Sequence, residues 1–121
     1  MRSRSLGDSF AHALEGLRYS LDTQRNARVH LAVGAVTLLG SVALGLSALE
    51  LAIVVLAIAV VFFAELLNTV VETVVDLNTN EIHPLAKIAK DVAAGAVLWT
   101  AVGSVAIGLL VIGPHVVALF R

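Results

Sequence analysis

"FFAELLNTVVETVVDLNTNEIHPLAKIAKD", residues 62–91, places Glu65, Asn68, Glu72 and Asp76 in one short segment, with Lys90 and Asp91 just beyond. It is either the solvated face of a soluble helix or the polar end of a membrane span. The flanks decide between them. Immediately upstream, "LAIVVLAIAVVFFA" (51–64) is uninterrupted apolar sequence. Further out, "LAVGAVTLLGSVALGLSAL" (31–49) and "VAAGAVLWTAVGSVAIGLLVIGP" (92–114) contain no charge. A bilayer span needs about 20 apolar residues. The outer two stretches meet that length directly, and the middle one meets it if Glu65 is accommodated inside.

Composition agrees. Of 121 residues, 59% are hydrophobic and 14% charged, where a soluble domain has about 25% charged. The fold class expected is therefore all-α membrane: an N-terminal surface helix with its lead-in over 1–28, then a three-span domain over 29–121. The spans are expected at about 29–49, 50–78 and 84–119. The chain makes one domain at most, without internal repeats, and no cleaved signal peptide is expected because the first apolar run starts late and two more follow. With no cysteine, neither a disulfide framework nor a thiolate metal site can form. A net charge of -1 argues against a nucleic-acid partner, which would call for a basic surplus.

Basic residues set the orientation. Arg2, Arg4, Arg18, Arg25 and Arg28 precede the first span, and Lys87 and Lys90 follow the second. The connection between the first two spans has only Glu50, and the far terminus only Arg121. The positive-inside rule places the N-terminus and the 77–91 connection in the cytoplasm. Before the first span, Leu6, Phe10, Leu14, Leu17 and Leu21 recur at helical spacing, opposite Asp8, His12, Glu15 and Asp22. This pattern predicts an amphipathic helix on the cytoplasmic membrane surface.

The polar stripe has a depth. With Glu50 at the outer end of the second span and a rise of about 1.5 Å per residue, Glu65 lies roughly 22 Å in, Glu72 about 33 Å and Asp76 about 39 Å along. The hydrocarbon core is about 30 Å thick, so Glu65 is inside it, Glu72 near its inner boundary and Asp76 in water. The three acids share one helix face within about 40°, with Asn68 about 60° away. An acid at membrane depth costs ~2.5–3.5 kcal/mol on insertion scales. Interhelical hydrogen bonding explains a lone Asn, but carboxylates on one face repel unless a cation or proton sits among them.

The following "NTNEIHP" reads as a turn, with Pro84 in the first turn of the third helix. That helix points its positive end at the cytoplasmic mouth, a favourable place for phosphate, and Lys87 and Lys90 add fixed charge. By itself His83 is a cap or surface residue, and Lys90-Asp91 a boundary pair. An acidic ladder meeting a basic turn suits Mg²⁺-dependent phosphoryl transfer from a soluble nucleotide to a membrane-dissolved alcohol. Neither GxxxxGK[ST] nor GxGxxG occurs, so ordinary kinase and P-loop machinery are absent.

At these residues the sequence resembles the prokaryotic diacylglycerol kinase family, small three-span lipid kinases that include undecaprenol kinases. The likeness is strongest in "AELLNTVVETVVD" (64–76) and "EIHPLAKIAKDVAAGAVL" (81–98), with support from "SFAHALEGLRY" (9–19) and "TQRNARVHL" (23–31). The resemblance implies an enzyme in the bacterial inner membrane that uses ATP and Mg²⁺, active on the cytoplasmic side, as a homotrimer with sites shared between subunits. It implies Glu65 as general base near the lipid, Glu72 as holder of the metal bridging the ATP phosphates, and Asn68 and Asp76 shaping the same face. It further implies Glu81, His83, Lys90 and Asp91 at the nucleotide and Arg18 near the lipid.

Two positions depart from the family pattern. Gln24 stands where a second, acidic metal ligand is frequent, and its amide oxygen can still ligate Mg²⁺ beside Glu72, with less charge; Ser5, beside Arg4, stands where an arginine is frequent. The wording leans toward the undecaprenol branch. A proton- or cation-conducting oligomer built on Glu65 is the competing reading, and it leaves Lys87, Lys90 and Asp91 incidental. A purely structural helix-packing subunit leaves the ladder unexplained.

Overall fold

The computed structural model describes residues 5–121; Arg2 and Arg4 of the basic N-terminal group lie outside them. The described residues form helices α1 (Leu6–Thr23), α2 (Arg25–Ala43), α3 (Ala48–Asn78), α4 (Pro84–Val111) and the short α5 (Gly113–Ala118). Three stretches, Arg25–Ala43, Ala48–Asn78 and Pro84–Ala118, are long and apolar enough to cross a membrane. At about 1.5 Å per residue the 31-residue α3 is longer than the hydrocarbon is thick.

The α3 helix is central: it packs most extensively on α4, then on α2, and α1 reaches both α2 and α3. The buried apolar residues are small, mainly Ala27, Val54, Ala57, Val61 and Ala64. In a bilayer lipid already solvates apolar groups, so close backbone approach through small residues takes over from hydrophobic burial as the packing rule. Gly34 shows the tightest case, since a Cβ there would sit 2.8 Å from Cγ2 of Ile58. Helix α4 has no buried residue in the single chain, and Val36, Leu39, Leu98 and Trp99 are exposed. Those faces belong against lipid or another subunit.

The turns explain where the observed ends differ from the expected ones. The apolar run through 49 is divided, not continuous. After α2, the Gly45 N–H bonds to the Val42 carbonyl and the Leu46 N–H to that of Ser41, at 3.1 and 3.2 Å. That is a Schellman ending, and it requires the positive φ of 79° that Gly45 adopts. Ser47 then caps α3: its Oγ accepts from the Glu50 N–H while Glu50 accepts from the Ser47 N–H, a capping box. Ala48 and Leu49 therefore belong to the second span. On the other side the first span starts earlier than residue 29, at Arg25. A single extended residue, Gln24, separates α1 from α2. Neither Pro nor Gly marks that bend. It is held by the Arg28 guanidinium, which donates to the carbonyls of Leu21 and Asp22 at 2.7 and 3.2 Å, occupying acceptors that a helix end leaves open.

The α3–α4 connection is only Thr79–His83, because His83 caps α4: its Nδ1 accepts from the Leu85 N–H at 3.1 Å. Lys87, Lys90 and Asp91 thus ride on the first two turns of α4 and not in the connection. The third span is interrupted once, at Ile112, just before Pro114, whose missing N–H cannot continue the helical ladder. At this end His115 Nε2 lies 3.2 and 3.1 Å from the two carboxylate oxygens of Glu50, tying α5 to the start of α3.

Candidate active site

The polar face of α3 forms three tiers. Glu65 is buried, with 2% of its surface exposed; Glu72 is half-buried and Asp76 exposed. Burial within the chain thus falls along α3 from Glu65 to Asp76. Helix α3 needs no special local geometry to do this, because spacings of seven and four return each acid to one face.

Around Glu65 the polar groups are incompletely matched. The Glu65 Oε1 and Asn68 Oδ1 atoms are buried and accept no hydrogen bond. His30 of α2 brings Nε2 to 3.2 Å from Glu65 Oε1, within ion-pair distance but off the line of a hydrogen bond. One turn further along α3, buried Thr69 donates to the Glu65 carbonyl at 3.1 Å, and its Oγ1 lies 3.1 Å from Oγ of buried Ser20 on α1. The surface helix is therefore pinned to α3 beside Glu65. Its apolar stripe remains open, with Leu6 82% and Phe10 71% exposed, as a helix lying on a membrane surface requires.

At the α3–α4 connection the two helices line an open polar cleft of 430 Å³, bordered by Asp76, Glu81, His83, Lys87, Lys90 and Asp91 among others. Lys90 donates to Asp76 Oδ1 at 2.7 Å, bridging the two helices. Lys87 donates to Asp91 Oδ2 at 2.6 Å within α4. An ammonium has three donors, so neither lysine is exhausted by one acceptor. The cleft also faces the N-terminal end of α4, where the helix dipole is positive. It brings together Asp76, Glu81, His83, Lys90 and Asp91, whereas Glu65, Asn68 and Glu72 lie on the α3 face that leads up to it.

Two expected residues do not line that cleft. Arg18 is exposed and pairs with Asp22 of its own helix at 3.5 Å. Gln24 marks the α1–α2 junction; it is half-buried, and its side chain makes no capping bond. Among the described residues no group of three His, Cys, Asp or Glu is gathered to hold a metal. A hard cation such as Mg²⁺ typically takes one or two carboxylates and fills its shell with phosphate oxygens and water. The half-buried carboxylate of Glu72, with the unpartnered oxygen of Asn68 one turn away on the same helix, fits that donor chemistry.

Sequence reasoning missed His30, Ser20 and Thr69. A signal for His30 existed: it is the only titratable residue between Arg28 and Glu50, and an intramembrane acid needs a partner on a neighbouring span. Ser20 and Thr69 carried none, since each looks like an ordinary helical hydroxyl.

Residues 11–112 match the family model for prokaryotic diacylglycerol kinase. The chain is 42% identical over 112 residues to a diacylglycerol kinase of Synechocystis sp., which covers 92% of this chain and 64% of that protein. It is 46% identical over 106 residues to the undecaprenol kinase of Bacillus subtilis, covering 88% of this chain and 86% of that protein.

Proposed function

The chain belongs to the prokaryotic diacylglycerol kinase family, and from that premise we propose that it is an ATP- and Mg²⁺-dependent lipid kinase. It transfers the terminal phosphoryl group of ATP to the hydroxyl of a membrane alcohol, undecaprenol in preference to diacylglycerol, at the cytoplasmic side of the bacterial inner membrane. The observation that carries this reading is the burial of Glu65, 2% exposed, on the helix that runs outward into the cleft of Lys90 and Asp76. A carboxylate shut away from water meets hydroxyls dissolved in lipid and few others.

In the reaction, Glu65 takes the proton of the lipid hydroxyl as the new bond from its oxygen to the γ-phosphorus forms and the bond to the β,γ-bridging oxygen breaks, releasing ADP. Lys90, anchored by Asp76, and the N-terminal end of α4 hold the phosphates in the cleft. Asn68 orients the acceptor from the same face. Glu81, His83 and Asp91 border the nucleotide, and Arg18 lies toward lipid head groups. Bound Mg²⁺ supplies charge neutralisation between phosphate oxygens; Glu72, with Gln24, would hold it. A homotrimer with shared sites suits this assignment, because one chain leaves α4 without a buried residue and gathers no complete metal shell.

The test is transfer of labelled phosphate from ATP to undecaprenol and to diacylglycerol, separately and in competition, with purified protein in detergent. Glu65→Gln is expected to lower transfer roughly 10²–10⁴-fold, the range for loss of a general base. Glu72→Gln is expected to abolish transfer at ordinary Mg²⁺, with partial recovery at high Mg²⁺. Both proteins should keep the wild-type oligomer. Wild-type rates in both variants would overturn the assignment. A carboxylate-dependent proton flux in vesicles without any lipid phosphorylation would favour the conducting oligomer instead.

A further inference from the structure

His30 has no role in the reading above, yet among the described residues it is the one titratable side chain that reaches Glu65 from another helix. Its Nε2 stands 3.2 Å from Glu65 Oε1, the buried oxygen that otherwise accepts nothing. The ring is not sealed. Its side chain is 28% exposed where Glu65 is 2%, and it borders an apolar groove of 490 Å³ between α2, α3 and α4, with Val33, Ile58, Val61 and Ser104 among its walls. The imidazole therefore stands between the acid and an opening wide enough for hydrocarbon.

A buried carboxylate with an unmatched buried oxygen has two ways to lower its energy: rotate away or gain a donor. Backbone groups on α3 offer it none, because they are engaged in the helix. Thr69, on α3 itself, already donates to the Glu65 carbonyl, and Ser20 of α1 is engaged with Thr69. Glu72 is on the same helix and carries the same charge. Among the described side chains of neighbouring helices, His30 alone stands within ion-pair distance of that oxygen, and realignment of its ring would turn the approach into a bond. Contacts of this kind are often misaligned before substrate arrives and tighten in the reacting complex.

We propose that His30 is a positioning residue for phosphoryl transfer: its Nε2–H holds Oε1 of Glu65, fixing the carboxylate so that its other oxygen is presented to the acceptor hydroxyl. The inference rests on Glu65 acting as the proton acceptor. His30 touches neither nucleotide nor transferred phosphorus, so its effect falls on turnover and not on ATP affinity. A misplacement of about 1 Å at a reacting group costs on the order of 10²-fold in rate, which sets the scale of the loss.

Side-chain shape separates this from simple packing. The amide nitrogen of Gln reaches the place of Nε2, that of Asn the place of Nδ1, and Leu fills the volume with no donor. Purified full-length protein carrying His30→Gln, His30→Asn or His30→Leu, together with Glu65→Gln, should be assayed for kcat, for the KM of ATP and for melting temperature in the same detergent. The expected result is that His30→Leu and His30→Asn lose about 10²-fold in kcat with the KM of ATP unchanged, while His30→Gln recovers most of the rate. Wild-type kcat in His30→Leu beside an inactive Glu65→Gln would overturn the role of His30 and leave the proposed function standing. An active Glu65→Gln would overturn the role of Glu65 as proton acceptor and this inference with it, whereas failure of the wild-type protein to phosphorylate either lipid would overturn the proposed function itself. If Gln is as poor as Leu, or if the losses follow melting temperature, His30 only packs.

Discussion

The two ends of the bundle treat polar groups in opposite ways. At the end that carries the α2–α3 turn, they are matched. Glu50 closes a capping box with Ser47 and faces His115, and the carbonyls that end α2 are taken by the amides of Gly45 and Leu46. Toward the α3–α4 turn, buried oxygens of Glu65 and Asn68 accept nothing, and the lysines keep donors to spare. Matched groups serve architecture. Unmatched buried groups lower stability, and they persist where a ligand completes them.

That contrast can be broken by substitution, most severely at the unmatched end. Asn68→Leu removes a buried acceptor without a partner, a change worth about 1–3 kcal/mol to the folded state, so melting temperature in detergent should rise. Lipid phosphorylation should fall at least about tenfold, equivalent to 1.4 kcal/mol of barrier. A variant that gained stability and kept full activity would show that the orphaned amide is a packing accident. Lys90→Met comes next. It removes a cation from the cleft and the bridge to Asp76, so the KM for ATP should rise several-fold, and the salt sensitivity of that KM should weaken, with kcat changed little. An unaltered KM would move the nucleotide out of the cleft. The smallest effect is expected at the matched end, where His115→Gln should lower melting temperature slightly and leave transfer rates alone. Reduced kcat in that variant would erase the distinction between the two ends.

The same division sorts what the sequence made legible. Apolar runs and basic flanks were enough for three spans, because insertion depends on summed hydrophobicity over many residues and tolerates a single Glu65. The three-tier ladder was legible for a related reason: helical periodicity fixes which residues share a face, and rise per residue fixes depth. The bend at Gln24 was not, since it depends on Arg28 folding back across the junction and not on a local breaker. His30 escaped because its meaning is a contact between helices, and periodicity describes one helix at a time. Lys90 illustrates the middle ground. Its charge and its place near the turn were plain, whereas its bond to Asp76 across α3 and α4 needed the packing to be seen.

One consequence of the sealed position of Glu65 concerns water. Phosphoryl donors in aqueous solution always have the solvent as a rival acceptor, present at enormous excess over any lipid. On the proposed reading the rival is kept out by geography: a molecule must arrive from the greasy side to lose its proton to this acid. Selectivity between alcohol and water would then be a matter of which solvent the carboxylate lives in, and the enzyme would need no separate device to spare its ATP.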